Sequence, residues 1–147
     1  MGLKNNKPRR WLYAAIVLND YSRDLLLKKN IVPHDWNIGC DHITLCYNDN
    51  GKETGKFLDK ISSLVGKFIC VNATGVGVHS DGNGLTGLFA LKAELPEGIP
   101  CRNTTPHVTL GWRPPMKPRE SNDITEWVTL STPITLMGRI RIIYENN

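Results

Sequence analysis

Two short stretches of the chain repeat one arrangement, His42-Ile43-Thr44-Leu45 and His107-Val108-Thr109-Leu110. Together they use two of the four histidines in 147 residues. Strand side chains alternate, so His and Thr two apart point to one face while the apolar pair points to the other. Each copy would therefore present one imidazole beside one hydroxyl. Brought together, the copies would surround a space suited to a phosphate. Cleaving a phosphodiester needs a base for the attacking oxygen and an acid for the leaving one, and histidine has the unperturbed pKa for either task. Thr44 and Thr109 would donate to the non-bridging oxygens as charge builds on phosphorus. One His-x-Thr in a strand is commonly a half-buried polar pair, and it is the matched duplication that points to chemistry. A metal centre fits poorly, because two histidines without a carboxylate or cysteine cluster leave a transition metal under-ligated. Asp41 adjoins His42, but alternation sends it to the opposite face. No metal or other cofactor is called for.

The elements that must position these residues follow from the pattern. Residues 1–10 are basic and polar and read as a flexible arm, leaving 11–147 as a single domain. Trp11 to Leu18 is apolar throughout, as in a central strand covered on both faces. Asp20 or Ser22 can cap a short helix carrying Leu25, Leu26 and Leu27 that ends near Asn30 and Pro33. Trp36 to Tyr47 reads as one strand ended by Asn48-Asp49-Asn50-Gly51, and Phe57, Leu58, Ile61, Leu64 and Val65 recur at helical spacing. Ser80 to Gly84 signals a hairpin between Val76–His79 and Leu88–Leu91. Pro106 to Trp112 is a further strand, followed by a short helix near Asp123 to Trp127 and a last strand from Ile134 to Tyr144. The class is α+β.

Composition narrows the partners. Eighteen Lys and Arg against 14 Asp and Glu give a net charge of +4, which permits an anionic ligand without demanding duplex DNA. Cys40, Cys46, Cys70 and Cys101 form no C-x-x-C pair and read as buried free thiols of a cytoplasmic protein. No apolar run is long enough to span a bilayer, and a monomer is expected. Base stacking falls to Tyr13 and Tyr144, each of which has core packing as its plainer role. Arg102 and Arg113 flank the second motif and could meet a further phosphate, whereas Arg139 and Arg141 read as a solvated sheet face. Trp112 shares parity with Val108 and Leu110, away from the histidines. His34 and His79 lack a Thr partner and carry no function.

Paired His-hydrophobic-Thr strands in a small α+β chain resemble the two-histidine (2H) phosphoesterase superfamily, over most of the chain. The resemblance implies a bilobal, pseudo-symmetric pair of antiparallel sheets with flanking helices around a cleft. It implies His42 and His107 as the acid and base, and Thr44 and Thr109 as the phosphate clamp, acting on RNA-type phosphodiesters. In length and motif spacing the chain is most similar to the phage anti-CBASS nucleases of that superfamily. They hydrolyse cyclic di- and trinucleotide messengers such as cGAMP, which would place the chain in a host cytoplasm. The alternatives are an RNA-end 2′,3′-cyclic phosphodiesterase and, from another class, a nucleotide-binding module without turnover.

Overall fold

The structure is a computed structural model that describes residues 9–146. Most of the basic arm, residues 1–8, lies outside the described residues. Its last two residues are tied to the far end of the chain: the Glu145 N–H donates to the Arg10 carbonyl at 2.8 Å, and Arg9 lies over the Tyr144 ring.

Strand β1 (Trp11–Leu18) runs into α1 (Asp20–Lys28), then β2 (Asn37–Ile38), β3 (His42–Tyr47) and α2 (Lys52–Ser62). The hairpin β4 (Phe68–Ser80) and β5 (Thr86–Glu94) follows, then β6 (His107–Trp112), a 3-10 segment (Pro118–Asp123) and the long β7 (Val128–Tyr144). The strands form one antiparallel sheet in the order β2-β6-β3-β1-β7-β4-β5, and β5 also pairs with β6. That last pairing closes β6-β3-β1-β7-β4-β5 into a ring, so the halves expected of a bilobal sheet pair meet at both edges. Closure leaves few unpaired edges. Ile16, Ile43, Leu45, Leu91, Val108, Leu110, Leu136 and Ile140 are almost fully buried in one apolar cluster, joined by Leu26 of α1 and Ile61 of α2. Among the described residues no helix is long and apolar enough to cross a membrane.

Several boundaries differ from the sequence expectation, each for a local reason. The span Trp36 to Tyr47 is two strands rather than one, because Cys40 takes φ +63° and the Gly39 and Cys40 N–H groups turn to the Leu110 and Thr109 carbonyls. Helix α1 is capped by Asn19, whose side chain accepts from the Ser22 N–H, rather than by Asp20 or Ser22. The short helix lies upstream of Asp123 to Trp127: Pro118 opens it, and the Glu120 carboxylate accepts from the Lys117 N–H at 2.7 Å. The final strand begins at Val128, ahead of Ile134. Cys70 is exposed, not buried, while burial pushes the Cys40 thiol up to about 11.

Candidate active site

Strands β3 and β6 pair antiparallel through Ile43 and Val108, both fully buried. The residues on either side of that pair face the other way. Antiparallel order then sets the His42 end of one motif beside the Thr109 end of the other, and Thr44 beside His107. All four line one cleft of about 110 Å3, with Asp41, Tyr47, Trp112 and Pro118. The structure thus brings the four expected residues together.

Each motif carries the same irregularity. Opposite β1, Ala14 and Ala15 pair with Cys46 and Thr44, so Leu45 is an extra residue. Opposite β5, Phe89 and Ala90 pair with Gly111 and Thr109, so Leu110 is extra. A bulge resets strand alternation. The sixth residue of each copy, Tyr47 and Trp112, therefore returns to the histidine side and lines the cleft. Trp112 is thus on the face opposite to the one its sequence parity predicted. The repeat runs six residues, His-Ile-Thr-Leu-Cys-Tyr and His-Val-Thr-Leu-Gly-Trp.

The two imidazoles sit in different surroundings. His107 is 8% exposed, and its Nδ1–H donates to the Thr105 carbonyl at 2.8 Å, which leaves Nε2 as the free ring nitrogen. Burial holds its pKa below the ordinary histidine value, against an opposing pull from the Thr105 carbonyl bond and with a smaller downward push from the nearby His42. The Trp127 ring lies 6.3 Å away at 30°. His42 is more open, with a side chain 32% exposed, and its Nδ1–H donates to Asp41 Oδ1 at 2.7 Å. Asp41 therefore does not turn away from His42 as alternation predicted; it precedes β3, outside the pleat. The hydrogen bond to His42 lowers the Asp41 pKa. Tyr13 stacks on His42 at 5.2 Å and 29°, and burial, with the Asp41 charge behind it, raises its phenol pKa.

The threonines differ as well. Thr44 is 6% exposed, and its carbonyl accepts from Asn103 Nδ2 at 3.1 Å and from Cys101 Sγ at 3.6 Å. The Thr109 hydroxyl shares a 2.8 Å hydrogen bond with Ser121 and lies 3.4 Å from the Pro118 carbonyl. Ser121 is buried in the 3-10 segment, and no sequence pattern marked it. Gly39 allows this close approach, since a Cβ there would stand 2.5 Å from the Thr109 carbonyl oxygen. Gly39→Ala is expected to displace the second motif, lowering both the melting temperature and turnover; a variant with unchanged activity would show that Thr109 tolerates the shift.

The remaining candidates lie apart from the cleft. Tyr144 pairs with Trp11 at the outer end of β1 and β7. Arg113 is engaged by Asp81 at 2.6 Å and ties the β4–β5 hairpin to β6. Arg102 donates to Thr54 Oγ1 at 2.8 Å and lies 3.8 Å from Asp49, on the rim of a second cavity. Arg139 donates to the Gly66 carbonyl, and His79 lies 3.8 Å from Asp123. Among the described residues no group of three His, Cys, Asp or Glu side chains is placed to hold a metal ion.

No protein-family model matches the sequence, and no curated protein matches it. The crystal structure of a fungal RNA kinase is similar to this chain with a TM-score of 0.64 at 17% identity. The likeness is one of fold. It covers 97% of this chain but only 47% of that one, so the chain spans about half the length of the kinase it resembles.

Proposed function

We propose that the chain is a metal-independent phosphodiesterase of the two-histidine kind, acting on RNA-type phosphodiesters, with RNA ends bearing a 2′,3′-cyclic phosphate as its leading substrate. The observation that carries the reading is the pair of His-x-Thr strands joined antiparallel, with both imidazoles on one cleft and each Nδ1 anchored by an acceptor. Anchoring at Nδ1 fixes the ring and reserves Nε2 for proton transfer, as in other oriented histidines. The fold it shares with a fungal RNA kinase is consistent with RNA chemistry.

The surroundings divide the labour. His107, buried and with a lowered pKa, is neutral near pH 7 and takes a proton at Nε2 from the water that attacks the cyclic phosphate. The new O–P bond forms as the bond to the leaving ribose oxygen breaks. His42 gives its Nε2 proton to that oxygen, and the Asp41 carboxylate offsets the ring's charge while it carries the proton. Thr44 and Thr109 face the non-bridging oxygens. Because the base must be unprotonated, a lowered pKa extends activity toward acid. The acid limb of kcat/KM is expected below pH 6.5, the ordinary histidine value. A limb at or above that value would take the base role away from His107.

A second reading, hydrolysis of cyclic di- or trinucleotide messengers, draws support from Tyr47 and Trp112. The paired bulges offer two aromatic faces on one cleft, as a ring with two bases would use. The deciding assay incubates the protein in EDTA with an RNA oligomer ending in a 2′,3′-cyclic phosphate, 3′,3′-cyclic GMP–AMP and cyclic triadenylate. Opening of the RNA end supports the leading reading, and turnover of the rings alone supports the second. Binding without product at enzyme excess would mean a nucleotide-binding module.

A further inference from the structure

Beyond His107 lies a cavity of about 620 Å3, lined among others by Lys92, Arg102, Asn103, Thr105, Ser121 and Trp127. The catalytic cleft, at about 110 Å3, is smaller than the ~300–1,000 Å3 typical of small-molecule sites, whereas this cavity falls within that range. The cleft has room for the reacting phosphate and little more, so the rest of a nucleotide ligand must extend elsewhere.

Residues lining the one space contact residues lining the other. Lys92 is the register partner of His107, so both side chains project from the same face of neighbouring strands, with Cβ atoms roughly 5 Å apart. The Trp127 indole lies against the His107 ring, Thr105 holds His107 Nδ1, and Ser121 holds the Thr109 hydroxyl. Every one of these supports also lines the second cavity.

Its chemistry suits one kind of ligand. No carboxylate lines it, and Lys92 has none within ion-pair distance among the described residues. Arg102 adds a second cation at the rim, positioned by Thr54 and Asp49. Asn103 and Thr105 supply polar groups. The indole is held in place by missing side chains: a Cβ on Gly77 would stand 2.7 Å from Trp127 Cε3, and one on Gly75 would stand 3.4 Å from Trp127 Cβ. Unpaired cation, fixed aromatic ring and amide together match a phosphate, a base face and a base edge.

We propose that this cavity binds the nucleotide adjoining the scissile phosphate, with its 5′-phosphate on Lys92 and its base against Trp127. The substrate is then an oligonucleotide of two or more residues in preference to a mononucleotide. The proposal rests on the phosphodiesterase reading for its reaction, but its binding can be measured without turnover.

The experiment compares adenosine 2′,3′-cyclic phosphate with the diadenosine ApA carrying the same terminal group, and in parallel measures binding of the linear products by calorimetry. Wild type is expected to favour the dinucleotide by about tenfold or more, the worth of one charge-assisted contact. Lys92→Gln should remove most of that preference, whereas Trp127→Leu should weaken both ligands together and Trp127→Phe should do so less. If Trp127→Leu does not fold, Lys92→Gln still decides the matter. Equal affinity of wild type for the two products, or a preference unchanged in Lys92→Gln, overturns the subsite whether or not the protein is active. Lys92-dependent product binding without turnover of either substrate would keep the subsite and remove the phosphodiesterase. A third arm with 3′,3′-cyclic GMP–AMP shows whether a ring or a strand supplies the second nucleotide.

Discussion

His107→Ala and His42→Ala are each expected to lower kcat/KM by about 10²–10⁴-fold, the usual range for losing one general acid or base. The two losses should differ in kind. His107 is the buried ring whose lowered pKa favours the neutral form, so its removal should erase the acid limb of the pH profile. His42, held by Asp41, is the proposed donor to the leaving oxygen, so its removal should leave the acid limb in place. The leaving group offers a sharper separation. From a ribonucleotide nitrophenyl phosphodiester the nitrophenolate departs without protonation, so this substrate should restore much of the activity of His42→Ala but little of that of His107→Ala. Rescue of His107→Ala instead would exchange the two roles. The double variant should be barely worse than either single one, because a base and an acid acting in one step are not additive. Additive losses would mean that the two rings serve separate steps.

The parts of this site that were legible in the sequence depend on residue type and short spacing. The duplicated His-x-Thr, the apolar parity that buries Ile43 and Val108, and the β4–β5 turn at Ser80 to Gly84 are all set within a few residues. The parts that were not legible depend on how distant strands meet. Parity placed Trp112 on the core face, and it would lie there in a regular strand; a bulge at Leu110 turns it back, and only the pairing with β5 reveals that bulge. In an unbroken strand Asp41 turns away from His42, whereas the positive φ at Cys40 ends the alternation just before it. Lys92 meets His107 through β5–β6 register, and Ser121 reaches Thr109 from a 3-10 segment. No local pattern encodes either contact. Arg113 shows the opposite relation between sequence and space. Arg113 lies beside the second motif in sequence, but Asp81 across the hairpin engages its guanidinium.

Thr44→Val should lower kcat by about 10²–10³-fold, as expected when one preorganised donor to a developing oxyanion is removed. Different groups hold the two threonines. Asn103 and Cys101 fix the Thr44 backbone through its carbonyl, and among the described residues no protein group takes its hydroxyl. Thr44 as a residue is only 6% exposed and lines the cleft, so packing holds its side chain there. Valine keeps the shape and loses only the donor, so the melting temperature should hardly move. Thr109→Val is a different experiment. It removes a donor and also strips Ser121, 1% exposed, of its hydrogen-bond partner. A buried hydroxyl left unpaired costs about 1–3 kcal/mol, so this variant should lose stability as well as rate. Ser121→Ala separates the two effects, since Thr109 keeps its donor but loses the group that orients it. A kcat for Thr44→Val within twofold of wild type would remove Thr44 from the phosphate clamp and leave the charge on phosphorus to Thr109 and the two imidazoles.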